Sequence, residues 1–175
     1  MIVGLAPAAH GGNRTGRIFT GDRSGDWLFG SLHRVGMANQ AESESREDGL
    51  RLQGCWVAAA VRCAPPANRP TPAERDTCLP YAVRELELLE SVRVVVCLGA
   101  FAWDAALRVA VAAGERPPRP RPKFGHGAET SVGDRVLLGC YHPSQQNTFT
   151  GKLTGPMIDA VMRRARELGS RSGAD

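Results

Sequence analysis

His142 is the side chain in this sequence best suited to chemistry at neutral pH. It stands in His142-Pro143-Ser144, directly after the apolar run 136–141, and imidazole is the group whose charge ordinarily changes between pH 5 and 8. A lone histidine is more often a satisfied structural side chain. What favours a functional role here is the segment that follows, SQQNTFTG, in which short polar groups (Ser144, Gln145, Gln146, Asn147) surround one aromatic, Phe149, with Lys152 close behind. Such a segment suits a groove of nucleic acid. A second segment, GLAPAAHGGNRTGRIFTGDRSG from Gly4, holds six glycines together with Asn13, Arg14, Arg17 and Phe19. It has neither the GK[ST] of a Walker loop nor the G-x-G-x-x-G spacing of a dinucleotide fold. Its glycines let the backbone approach a ligand closely. Phe19 offers either an aromatic face for one base or a ring for the core, and both readings stay open at this point.

The elements that must position these loops alternate between strand-length apolar runs and helical stretches. Ile2 to Leu5 is a short strand, Cys55 to Val61 a second, Val92 to Leu98 a third and Val136 to Tyr141 a fourth. The third, VRVVVCL, is nearly continuous in apolar residues, the pattern of a strand buried on both faces of a parallel sheet. Helices are expected from a Ser24 cap through about Met37, with Trp27, Leu28, Leu32 and Val35 at helical spacing, from Thr71 to about Glu90, from Gly99 to about Ala113 and from Pro156 to Leu168. Thr71-Pro72-Ala73-Glu74 is the strongest start signal, because Thr71 can cap, Pro72 fits the first helical position and Glu74 can close a capping box. Residues 38–53 read as a polar surface connection, 62–70 as a Pro-rich loop, and 114–131, with RPPRPRPK, as a stiff basic loop. The expectation is a three-layer α/β/α fold with a central, mostly parallel four-stranded sheet. Ligands in such folds bind beyond the carboxyl ends of the strands. Loops 6–24, 62–71 and 142–154 leave those ends and should converge on one site.

The chain's 175 residues, 42% of them apolar and 23% charged, fit one globular domain able to bury a core. No apolar run approaches the length of a membrane span, and the start lacks the basic and apolar regions of a secretory signal. A cytoplasmic protein with reduced or metal-bound thiols is the expectation. Residues 1–90 carry 10 basic and 11 acidic groups and residues 91–175 carry 12 and 7, so the halves are −1 and +5. The basic half suits a polyanion, although a solvated surface explains it as well.

Three motifs taken together, GLAPAAHGGNRTGR with FTGDRSG, AVRCAPPANRPTPAERDTC and HPSQQNTFTGKLT, resemble the uracil-DNA glycosylase superfamily and, within it, the type 5 branch. The similarity runs from residue 2 to about 168. It implies a DNA glycosylase of base-excision repair that flips a deaminated base from double-stranded, and also single-stranded, DNA and hydrolyses its bond to the sugar. The alternative is a lesion-recognising protein without turnover. By carry-over, Gly4, Leu5, Ala6, Pro7, Phe19 and Ala59 surround the base, His142 stabilises the departing anion, and Asn13 or Asn147 holds the water that a carboxylate at position 6 positions in other branches. Ser144, Gln145, Gln146 and Phe149 fill the minor groove and the vacated stack, while Arg14, Arg17 and Lys152 clamp phosphates. Ala59 stands where relatives often carry an asparagine, which implies a permissive pocket that accepts uracil and also hypoxanthine. Cys63 and Cys78 match two of the four ligands of the family's [4Fe-4S] cluster. The paired cysteines that supply the other two precede the first strand in the family, so the expectation is that a front segment is missing. A single monomeric domain with a disordered tail completes the reading.

Overall fold

Three valines, a cysteine and a leucine in succession make β3 (Val94–Leu98), every residue of which is buried. In the computed structural model, which describes residues 1–170, β3 is the centre of the sheet. β1 (Ile2–Gly4) lies on one side of it, followed by β2 (Val57–Ala59), and β5 (Arg135–Cys140) lies on the other, all four parallel. Val94, Val96 and Leu98 point to one face and Val95 and Cys97 to the other, as a period of two requires. On the first face they meet Leu28, Phe29 and Leu32 of α2 (Arg23–Arg34) and Ile158 and Met162 of α6 (Gly155–Ser170). The second face is covered by Ala102, Trp103 and Ala106 of α4 (Ala100–Ala112), against which α3 (Pro72–Leu88) packs.

The three-layer reading holds, with one strand more than expected. β4 (Glu129–Val132) pairs antiparallel with β5 at the sheet edge. Its sequence, ETSV, has a single apolar residue, and only Val132 is buried, so no apolar run announces it. The hairpin is closed at Gly133, whose φ of +57° suits glycine. Two short helices, α1 (Gly12–Thr15) and α5 (Gln145–Phe149), sit inside segments whose sequences predict irregular loops.

Helix ends follow local chemistry. The capping box at α3 is complete: Thr71 Oγ1 accepts from the Glu74 amide at 3.2 Å, and Glu74 Oε2 accepts from the Thr71 amide at 2.6 Å. At α2 the cap is Asp22 and not Ser24. The Asp22 carboxylate accepts from the Gly25 amide at 3.0 Å, and an anion at a helix start is further favoured by the helix dipole. The helix stops at Arg34 because Gly36 (φ +75°) turns the chain back. The 38–53 connection is folded on itself through a bridge between Ala38 and Leu52. No helix among the described residues is long and apolar enough to cross a membrane. The expected disordered tail lies outside the described residues.

Candidate active site

The first strand ends at Gly4, and the absence of a side chain there is what admits Phe19. A Cβ on Gly4 would lie 2.6 Å from the Phe19 ring. Phe19 is only 6% exposed, and its φ of +61° is uncommon for a bulky residue. Such a conformation costs of order 1–3 kcal/mol and persists only where neighbours impose it. Here they do. Gly25 leaves room for the Phe19 carbonyl, which a Cβ at that position would meet at 1.7 Å. Thr20, the next residue, is wholly buried and bonded to Ser43 at 2.7 Å, and Arg17 Nε donates to Thr20 Oγ1 at 2.8 Å. The Arg17 guanidinium goes on to Ser43 and to Asp48 at 2.5 Å. Burial raises the Asp48 pKa, but hydrogen bonds from Arg17 and from the amides of Leu50, Glu44 and Ser45 outweigh it and hold the carboxyl at about 2. Arg17 is thus spent on holding the turn that presents Phe19. Ala59 is the register partner of Gly4 on β2, so the two residues lie side by side at the ends of their strands.

His142 leaves the end of β5 two residues beyond Cys140, and its ring centroid is 6.0 Å from that of Phe19, tilted by 38°. Gly99, just ahead of α4, adopts a φ of +96° that favours glycine, and its backbone runs alongside His142, whose Cβ would be in ordinary contact at 3.5 Å with a Cβ placed there. Burial lowers the His142 pKa to about 4, so the imidazole is neutral at pH 7. No side chain among the described residues hydrogen-bonds to its ring. A neutral imidazole free of protein partners can donate one N–H to an oxygen that becomes negative during reaction. Its backbone is held instead: Asn147 Nδ2 donates to the His142 carbonyl at 2.9 Å, and Ser144 caps α5 by accepting from the Asn147 amide at 3.4 Å.

Helix α5 carries Gln145 and Gln146 and ends on Phe149, which is 68% exposed. The Arg23 guanidinium lies 5.0 Å from its centroid, so the start of α2 and the end of α5 are joined by a cation–π contact. Lys152 Nζ lies 5.0 Å above the ring of Tyr141, the neighbour of His142.

Gly4, Phe19, Ala59, His142 and Asn147 are therefore gathered, with Leu5, Ala6 and Pro7 leading out of β1 toward the loop. Asn13 and Arg14 are exposed on α1. The Asn13 side chain has no hydrogen bond among the described residues, and Arg14 bonds only to the His10 carbonyl at 3.1 Å. Cys63 is exposed and Cys78 half-buried, and the Arg62 amide donates to Cys78 Sγ at 3.5 Å, which puts the two thiols' segments side by side. The described residues contain no group of three or more metal-ligating side chains, so these two cysteines alone do not complete a metal site. Cys97 and Cys140 are core thiols, Cys140 raised by burial to about 12, which makes both inert. Sequence reading missed Arg23 and Asp22. Asp22 is the one carboxylate in loop 6–24, and Gly11 is small because a Cβ there would meet Asp22 Oδ2 at 2.3 Å. Its TGDRSG setting, with an aspartate just ahead of a helix, is the signal that points to it.

The glycines, strained aromatic and neutral histidine at one sheet edge coincide with a family assignment. The model of the uracil DNA glycosylase superfamily matches residues 1–166. This chain belongs to that superfamily. Relatives named type-5 uracil-DNA glycosylase are similar along nearly all of it. The protein of Mycobacterium tuberculosis is 56% identical over 170 residues, covering 96% of this chain and 62% of the relative. That of Thermus thermophilus is 47% identical over 169 residues, covering 96% and 74%, and that of Pyrobaculum aerophilum 44% over 165 residues, covering 94% and 70%. The chain thus spans about 62% of the length of the Mycobacterium tuberculosis and Mycobacterium bovis relatives.

Proposed function

We propose that this chain is a DNA glycosylase of base-excision repair that removes uracil, and also hypoxanthine, from DNA. The observation that carries the reading is a neutral His142, unpartnered at its ring among the described residues, within stacking distance of a strained Phe19. The name that the relatives bear supports uracil as substrate. Hypoxanthine rests on Ala59, which adds no polar side-chain donor or acceptor to the base pocket.

The chemistry follows from the residues. A base cannot be reached inside a duplex, so it is extruded, at least cost where it is mispaired. Ser144, Gln145, Gln146 and Phe149 enter the minor groove, with Phe149 filling the vacated stack and Arg23 supporting it from behind. Phe19 stacks on the flipped base. As the glycosidic bond breaks, its electron pair leaves with the base, and His142 donates a hydrogen bond to the base oxygen that gains negative charge. Water adds its hydroxyl to the sugar carbon, and its proton ends on the base or in solvent. Asn13 holds this water through its amide, which makes no hydrogen bond among the described residues, and Asn147, which donates its Nδ2 to the His142 carbonyl and positions that residue, is the second candidate through its Oδ1. Arg14 and Lys152 contact phosphates, while Arg17 supports the site from within. Double-stranded DNA is the principal partner, single-stranded DNA a second one, and the enzyme acts as a monomer.

Cys63 and Cys78 would supply two ligands of a [4Fe-4S] cluster, and the Arg62 amide bonded to Cys78 Sγ is the kind of donor that tunes such sulfurs. The other two thiolates would have to come from outside the described residues. The test of the proposed activity is release of free base from a uracil-containing duplex, a hypoxanthine-containing duplex and an undamaged one. Release from the first two only is expected. Release from none of them would overturn the reading.

A further inference from the structure

The basic Pro-rich loop 114–125 lies outside the site described above, yet it is built as a fixed part of the molecule. It starts at Glu115, which pairs with Arg135 at 2.5 Å at the beginning of β5. It then climbs α4 toward the carboxyl edge of the sheet. Arg121 pairs with Asp104 on the way, and Trp103 Nε1 donates to the Pro122 carbonyl at 3.1 Å. Phe124 packs between Trp103 and Tyr141, at 6.2 Å from each ring. Finally Gly125 crosses β5 at Gly139, so closely that a Cβ on Gly139 would lie 2.1 Å from the Gly125 carbonyl. The loop therefore arrives beside Tyr141 and His142.

Its charge is in excess. Arg116, Arg119 and Lys123 have no acidic partner among the described residues, and Asp104 is shared by Arg75, Arg108 and Arg121. Four prolines, at 117, 118, 120 and 122, stiffen the segment, so little freedom is lost when it binds. A rigid strap with uncompensated cations, continuous with the edge that holds His142, fits a partner with regularly spaced negative charge.

We infer that Arg119 and Lys123 form a second contact to the phosphate backbone of duplex DNA, on the flank of the site and apart from the base-reading loops. This inference rests on the glycosylase reading of the same edge. Phosphate contacts position a protein without reading sequence or lesion. The strap should therefore contribute alike to damaged and undamaged DNA.

The experiment compares the native chain with the double variant Arg119→Ala/Lys123→Ala. Binding of a short fluorescein-labelled duplex, with and without one uracil, is followed by anisotropy between about 50 and 200 mM NaCl. The plot of log affinity against log salt should become shallower by about 0.9 for each phosphate that the variant no longer neutralises, with affinity lowered about tenfold and equally on both duplexes. Base release at saturating duplex should be unchanged, and Arg119→Lys/Lys123→Arg should keep the native slope. A double alanine variant with the native slope overturns the strap contact alone, as does a loss confined to the uracil duplex. A native chain that binds neither duplex overturns the glycosylase reading, and the strap with it.

Discussion

At the scale of single residues, the proposed chemistry turns on a histidine whose charge state is set by burial. With its pKa near 4, His142 stays neutral through the range in which an exposed histidine would titrate. Base release should therefore show no loss between pH 8 and about 5.5 attributable to this group, and a single-turnover pH profile checks it; a break near 6.5 that disappears in a His142 variant would contradict it. The same shift affects stability with a definite sign. Between about pH 6.5 and 4 the unfolded chain binds a proton that the native chain refuses, so stability falls as pH falls through that window. Asn147 acts one step back. Asn147→Ala removes one hydrogen bond to the His142 backbone, worth about 1 kcal/mol, and should slow base release by about three- to tenfold with DNA affinity nearly kept. Gly4→Ala should be harsher, because its Cβ displaces the Phe19 ring: a loss of about 1–3 kcal/mol in denaturant melts is expected, together with weakened release.

At the scale of elements, the site depends on segments far apart in the chain. Arg17 and Asp48 are joined across the 38–53 connection, and both are mostly shielded from water. Arg17→Ala should cost about 2 kcal/mol in chemical denaturation and lower base release, while leaving the salt slope of DNA binding as it is. A changed slope would instead make Arg17 a phosphate contact. This pair also shows where sequence reading stops. The buried β3, the capping box at Thr71 and the position of His142 after a strand are legible, because each is a local pattern of apolarity or turn chemistry. The partner of Arg17, the strained φ of Phe19 and the packing of Asp22 against Gly11 are not, because they are set by tertiary neighbours. β4 escapes because an edge strand needs only one buried face, and ETSV buries only Val132. Gly139 belongs to the same class: its smallness is explained only by the crossing of Gly125.

At the scale of the whole molecule, part of the excess of basic residues in the second half acquires a location. Lys152 over Tyr141, the strap with Arg119 and Lys123, and the exposed Phe149 with Arg23 all lie toward the carboxyl edge of one sheet, where parallel α/β folds place their ligands. The glycines at positions 4, 25 and 139 are where another group must pass or pack closely. On the proposed reading, this edge breaks the bond between base and sugar through His142. The most direct test is the release of free uracil from a uracil-containing duplex by the native chain and by His142→Ala, with duplex binding measured on both. Release by the native chain and its near-complete loss in a variant that still binds DNA are expected; base release by His142→Ala at the native rate would overturn the role given to this histidine.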